Sequence, residues 1–284
     1  MTDHQDSKAG PKAIKLSTQG LASIASSGTK PHFDLPTYDR KALKEQIVHI
    51  AMRDVMKAQD CLYTVIERSA GGQKARVIGS ITSYLHAPSN PEAVIAKMAD
   101  ENTQIVSLTI TESGYYENEA TAALDTDHPD IAYDLKSPEV PKTVYGYLAR
   151  ALDRRRQAGH KPFTLMSCDN IQQNGTLLRK MMLTFTREAN PALGEWLSAH
   201  GAFPNSMVDR ITPRTGDKDK EGLKKNFGLD DAWPVVTEPF LQWVIEDDFA
   251  GARPPWEKVG VQVVKNVEPY EMMKLRLLNA SHSA

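Results

Sequence analysis

Four polar residues near the end of the 284-residue chain have the types and spacing for proton chemistry. Glu271, Lys274, Asn279 and His282 lie in Pro269-Tyr270-Glu271-Met272-Met273-Lys274-Leu275-Arg276-Leu277-Leu278-Asn279-Ala280-Ser281-His282. Its proline suits a first helical position, and an apolar ladder follows. On a helix turning about 100° per residue with Lys274 at zero, Glu271 falls near ~60°, His282 near ~80° and Asn279 near ~140°. One side of the helix therefore gathers all four. A lysine desolvated enough to be neutral can take the proton of a secondary alcohol while hydride leaves the same carbon. An asparagine amide can steady the developing alkoxide. Spacing alone also fits an amphipathic helix with its charged face in water, and taken alone it favours that plainer reading.

Two further candidates lie where strands end. Met166-Ser167-Cys168-Asp169-Asn170 closes a buried-strand pattern just before a loop and a helix, and ligands in open α/β sheets gather outside the carboxyl ends of strands. Asn170 is therefore a site candidate, while capping of the next helix by Asp169 or Asn170 explains the same residues equally well. Ile110-Thr111-Glu112-Ser113-Gly114 repeats this layout after a strand expected at 105–111. In the segment 203–213 a short apolar strand sets Asp209 beside Arg210 between two prolines, a pair that more often bonds to neighbours than clamps a substrate. Trp233, Trp243 and Trp256 stand at the edges of apolar runs and are expected to pack the core.

The elements that must position these groups read as an α/β sheet, because short β-branched runs alternate with helical patterns. Strands are expected at 47–50, 61–66, 76–84, 105–111, 163–167 and 259–264, several of them apolar almost throughout, as in strands buried on both faces. Asn90-Pro91 opens a helix with Val94, Ile95 and Met98 on one face. A second runs over 142–158 with Val144, Tyr147, Leu148, Ala151 and Leu152 inward, and Gly159 stops it. Helices follow at 175–187 and 191–200. Residues 1–40, rich in Ser, Gly, Lys, Thr and Pro, read as a flexible arm.

Composition removes other classes. A net charge of -2 and a pI near 6.5 do not suit a protein that grips phosphate backbones, so no nucleic-acid partner is expected. The one basic run, Arg154-Arg155-Arg156, reads as a solvated helix C-terminus. Two cysteines far apart, Cys61 and Cys168, support neither a disulfide framework nor a zinc site. With no run of about eighteen apolar residues and no apolar leader, the expectation is a cytoplasmic protein with no membrane partner.

Five strings in fixed order carry a specific resemblance: SCDNIQQNG, FPNSMVDRITP, WPVVTEPFLQWVIEDDF, RPPWEKVGVQVV and KLRLLNASH. Over about 47–284 the chain resembles the polyol-specific long-chain dehydrogenases, and among them the mannitol 2-dehydrogenases of fungi and bacteria. The resemblance implies a Rossmann-like, mostly parallel sheet with flanking helices over 41–268. It implies interconversion of D-mannitol and D-fructose by hydride transfer at C2, with NAD or NADP as cofactor, no catalytic metal, and a polyol or ketose substrate. Position by position it makes Lys274 the general base, and Asn170 with Asn279 the holders of the reacting oxygen. His282 becomes the orienter of substrate, Glu271 a proton carrier near the lysine, and Asp209 a substrate-pocket residue. Thr109 and Glu112 belong to the stretch beside the nicotinamide.

The chain also departs from that family. There the strand matching Ile47-Val48-His49-Ile50 runs into a glycine-rich turn, a helix and a second strand, whereas here Ile50 is followed directly by Ala51-Met52-Arg53-Asp54, which resembles sequence beyond that second strand. A βαβ unit needs roughly 30 residues or more, so the first unit is expected to be incomplete, without pyrophosphate cradle or ribose anchor. Gly71-Gly72 reads as a hairpin turn and offers no substitute. Residues 269–284 read as the first helix of a truncated C-terminal substrate domain. The competing expectation is a non-catalytic binding or interaction module without nucleotide binding.

Overall fold

The structure is a computed structural model that describes residues 14–17, 19 and 53–274. The expected strand at 47–50, together with Asn279 and His282, lies outside the described residues. The chain divides into two compact units, one formed by residues up to 86 with 210–240, the other by 87–209 with residues from 241 onward. Four of the seven strand ladders among the described residues are parallel. No helix among them is long and apolar enough to cross a membrane.

In the first unit the strand Tyr63–Ser69 is central, flanked by Val235–Thr237 in parallel and Gly72–Ile78 in antiparallel register. Ser69 pairs with Gly72, whose φ of +119° is available to glycine at little cost, so the Gly71-Gly72 hairpin is present as read from sequence. Its second strand stops at Ile78 rather than continuing to 84. Leu62, Ile66, Ala75, Val77 and Val236 close a core with Leu223, from the helix Asp217–Phe227, and Leu229.

In the second unit the strand Ile105–Leu108 runs parallel to Thr164–Ser167, and the chain between them carries the helix Val144–Gln157. Thr164–Ser167 is buried at every position, its two polar side chains satisfied by Ala250 N at 3.0 Å and the Tyr115 hydroxyl at 2.6 Å. A second sheet orders Gln262–Val264, Gln242–Glu246 and Ser206–Asp209. Two bonds tie the chain just before and at Ser206–Asp209 to Thr164–Ser167: Leu165 N to the Ala202 carbonyl at 3.0 Å, and Ser206 Oγ to the Ser167 carbonyl at 2.6 Å. The helices Pro91–Ala99, Asn174–Ala189 and Pro191–His200 complete the unit.

Several expectations need correction. The strand expected at 105–111 ends at Leu108, because the amides of Ile110 and Thr111 turn toward the Asp169 carboxylate. The strand expected at 259–264 begins at Gln262, since Trp256–Val259 forms a 3-10 turn that Gly260 ends with φ +94°. The inward face of Val144–Gln157 is rotated: Tyr145, Gly146 and Ala149 are buried with Leu148, Ala151 and Leu152, while Val144 and Tyr147 are half-buried. The basic run there is not simply solvated. Arg154 makes a bidentate pair with Glu92 at 2.5 and 2.7 Å, and Arg155 is buried, donating to the carbonyls of Asp100, Thr103 and Lys161. Trp233 is 39% exposed, whereas Trp243 and Trp256 pack in a tilted pair, 4.9 Å between ring centres and 39° between planes.

Candidate active site

The site begins with the pairing of Ser206–Asp209 against Gln242–Glu246, which sets Val208 opposite Trp243 and Asp209 opposite Gln242. Gln262–Val264, parallel to Gln242–Glu246, leads the chain back to the start of the helix Glu268–Met273. Val267, fully buried against Met207 and Val244, pins that start, and its amide reaches Glu246 Oε1 at 3.3 Å. Pro269 occupies the first turn, where a missing N–H costs nothing.

Helical backbone continues through Lys274 and brings its ammonium among three oxygens. Nζ donates to the Val208 carbonyl and to Asn170 Oδ1, each at 2.8 Å, and stands 3.7 Å from Asp209 Oδ1. The side chains of Lys274 and Asp209 are only 12% and 17% exposed. Three sequence candidates, Lys274, Asn170 and Asp209, therefore meet at one point. Arg210, adjacent in sequence, turns to Glu67 Oε1 at 2.9 Å and the Glu238 carbonyl, so the Asp-Arg pair does split toward separate neighbours.

Asn170 is held there through its neighbour. Asp169 is buried, and its carboxylate accepts from Ile110 N at 3.2 Å, Thr111 N at 2.8 Å and the Tyr115 hydroxyl at 2.9 Å. Asn174 Nδ2 fixes the Asp169 and Ser206 carbonyls, both at 2.9 Å. Neither Asp169 nor Asn170 caps the following helix, contrary to the capping alternative. That helix receives its N-terminal acceptors from afar: Asn205 Oδ1 takes Thr176 N at 2.9 Å, and Glu271 Oε1 takes Gln173 N at 3.1 Å.

Glu271 thus sits buried at a helix N-terminus, one turn before Lys274. Burial pushes its carboxyl above the usual range; the Gln173 amide pulls it down, and the nearby Glu246 and Glu268 charges push it up again. Burial likewise raises the Cys168 thiol to about 11, so it is a poor thiolate nucleophile. Thr109 and Glu112 are exposed just past the carboxyl end of Ile105–Leu108, Glu112 opening the 3-10 turn Glu112–Tyr115.

Sequence reasoning missed the Asp169 hub, the remote cap Asn205 and the Val208 carbonyl. Asp169 and Asn205 were visible as polar residues embedded in buried strings, where an acceptor must be satisfied. A backbone carbonyl leaves no such trace. Chemically, the arrangement holds an amine on a carboxylate and a carboxamide beside strand ends, a layout suited to moving a proton on or off a bound oxygen.

Residues 39–258 match the model for the mannitol dehydrogenase Rossmann domain. The chain is 50% identical over 323 aligned positions to mannitol 2-dehydrogenase of Pyrenophora tritici-repentis, and 52% identical over 315 to that of Neosartorya fischeri. It covers 99% and 95% of itself in these matches but only 56% and 62% of the relatives' lengths. Among solved structures it resembles the Pseudomonas fluorescens mannitol 2-dehydrogenase ternary complex with NAD and D-mannitol, at 39% identity and TM-score 0.87 over 95% of this chain and 62% of that one. A substrate-free D-sorbitol dehydrogenase matches at 39% identity and TM-score 0.86, over 91% of this chain and 61% of that one. The Rossmann model covers most of the chain, and the chain belongs to the mannitol dehydrogenase family.

Proposed function

We propose that this chain carries the polyol site of a mannitol 2-dehydrogenase, interconverting D-mannitol and D-fructose at C2 with NAD as hydride partner. The meeting of Lys274, Asn170 and Asp209 supports this reading above all. Lys274 acts as general base toward the C2 hydroxyl. Asn170, its amide oxygen engaged by the lysine, offers its Nδ2 hydrogens to the reacting oxygen, as oxyanion donors do. Asp209 holds the ammonium and a substrate hydroxyl, and buried Glu271, one turn away, passes the proton toward solvent. Asn279 and His282 complete the oxygen-holding and orienting set. In this reading 41–268 is an incomplete Rossmann-like dinucleotide-binding domain and 269–284 the first helix of a truncated C-terminal substrate domain.

The two ends of NAD fare differently here. Thr109 and Glu112 are exposed at a strand end, where a nicotinamide would rest. The described residues supply no counterpart for the pyrophosphate. A second reading, a module that does not bind the dinucleotide, draws on that same mismatch. The test is D-mannitol oxidation by the full chain, followed as NADH absorbance, with NAD and polyol each at concentrations shown by titration to saturate. NADH should form and should be lost in Lys274→Ala. Turnover unchanged in that variant, or none at saturation, would overturn the dehydrogenase reading.

A further inference from the structure

We infer that this chain has no dinucleotide cradle, so that any nicotinamide nucleotide it takes is held by the nicotinamide half alone. A Rossmann domain holds pyrophosphate on unpaired amides at a helix N-terminus, which glycines in the pattern G-x-G-x-x-G let the ligand approach. Each described helix of more than eight residues already has a side-chain acceptor on at least one amide at or beside its N-terminus. Asn90 Oδ1 takes Ala93 N at 3.0 Å before Pro91–Ala99, and Thr143 Oγ1 takes Gly146 N at 3.3 Å before Val144–Gln157. Asn205 and Glu271 serve Asn174–Ala189, and Asn190 Oδ1 takes Leu193 N at 3.3 Å at Pro191–His200. Asp219 takes Gly216 N at 2.7 Å at Asp217–Phe227.

Four of these five termini also carry carboxylates, which repel phosphate: Glu92, Asp134 bound to Thr143 N, Glu271, and Asp217 with Asp219. The described glycines in the first turns of these helices are all closely covered: Gly146 by the Asp134 carboxylate, Gly175 by the Phe203 and Pro204 carbonyls and Gly194 by Arg187. Beyond the described residues, the sequence itself settles the fingerprint: no two glycines anywhere in the chain stand two positions apart.

The length of the match to a relative agrees with a missing segment. An alignment of 323 positions that uses 99% of a 284-residue chain leaves about forty positions at which the relative has residues and this chain has none. A strand-to-helix glycine turn with its helix and next strand is about that size. The resemblance to the family implies a junction at Ile50-Ala51.

The part of this inference that concerns the nicotinamide half rests on the proposed function, and the experiment separates the two. The 284-residue chain is titrated calorimetrically with NADH and with reduced nicotinamide mononucleotide, with AMP added as competitor. The two affinities should agree within about threefold and AMP should not compete, because the adenylate half makes no contact worth a measurable share of binding free energy. The same chain carrying the absent segment of a relative at Ile50-Ala51 should bind NADH at least about a hundredfold more tightly, equivalent to about 2.7 kcal/mol. Should that variant fail to fold, the mononucleotide comparison in the native chain still decides. Micromolar NADH binding that AMP displaces, with the mononucleotide far weaker, would overturn the inference. Binding of neither nucleotide would uphold the absent cradle while removing the nicotinamide site from the proposed function.

Discussion

Lys274 Nζ lies 2.8 Å from Asn170 Oδ1 across 104 residues of sequence. Nζ donates to that oxygen, so the amide presents its oxygen to the lysine and its two N–H groups are left for another acceptor. Replacement by Asp keeps an oxygen for Lys274 and removes those donors. Asn170→Asp should lower turnover of the D-mannitol reaction by about a hundredfold, the usual loss for one oxyanion donor, with little change in urea midpoint because the residue is exposed. Turnover within a few-fold of the parent would mean that the amide does not touch the reacting oxygen.

Removing the amine tests the base itself. Lys274→Ala should cost turnover about a hundredfold or more, in the range of general-base contributions. A purely structural role for the ammonium, bridging Val208 to Asp209, would give a similar loss by distortion. Added small primary amines separate the cases: they should restore part of the turnover in proportion to their free-base concentration. A variant that no amine rescues, and whose urea midpoint has also fallen, would make Lys274 a structural brace.

Glu271 gives a pH-dependent expectation. Its folded pKa is raised, chiefly by burial, so the fold favours the protonated carboxyl. The stability this contributes is complete below the ordinary glutamate range and is lost as pH climbs through the raised folded value. Glu271→Gln keeps an acceptor for Gln173 N and removes the ionisation. The variant should therefore have a flatter urea midpoint against pH than the parent, and a higher one at neutral pH. Parallel profiles would show that the carboxylate sits in the fold at no penalty.

How much of this was legible follows from what each residue answers to. The helix at 191–200 and the strand at 163–167 were readable because a local cap and a short, mostly apolar run between helical patterns mark them, and they appear as Pro191–His200 and Thr164–Ser167. The helices Arg53–Ala58, Pro129–Asp134 and Asp217–Phe227 were missed: the first two are only six residues long, and the third buries only Leu223. At the site, residue type singled out Lys274, Asn170 and Asp209, but only the register of Ser206–Asp209 against Gln242–Glu246 brings Val208 and Asp209 to the lysine. Partners distant in sequence also decide Arg155, read as a solvated charge, and Asp169, for which a helix cap stood as an equal alternative.

Asp169 is where fold and site depend on one carboxylate. One oxygen takes Thr111 N; the other takes Ile110 N and the Tyr115 hydroxyl. Thr111 has φ +60°, costly for a β-branched residue, and it leads directly into Glu112. Alanine at 169 would strip the acceptors from two amides and one of two partners from the buried Tyr115 hydroxyl, which keeps Ser167 Oγ at 2.6 Å, while releasing that strain. Exposed Thr111 can find water, so the net loss should be about 3 kcal/mol rather than the sum of three lost bonds. Asparagine should do better but not well. Whichever way its amide turns, an NH2 group faces Thr111 N–H or Ile110 N–H, both donors, and about 1–2 kcal/mol should go with that bond. Urea unfolding at constant m would measure both variants, and amide exchange at Ile110 and Thr111 should quicken more than at the strand Thr164–Ser167. A loss below about 0.5 kcal/mol in Asp169→Ala, ordinary for an isolated surface change, would show that the 109–112 turn holds its shape without the carboxylate.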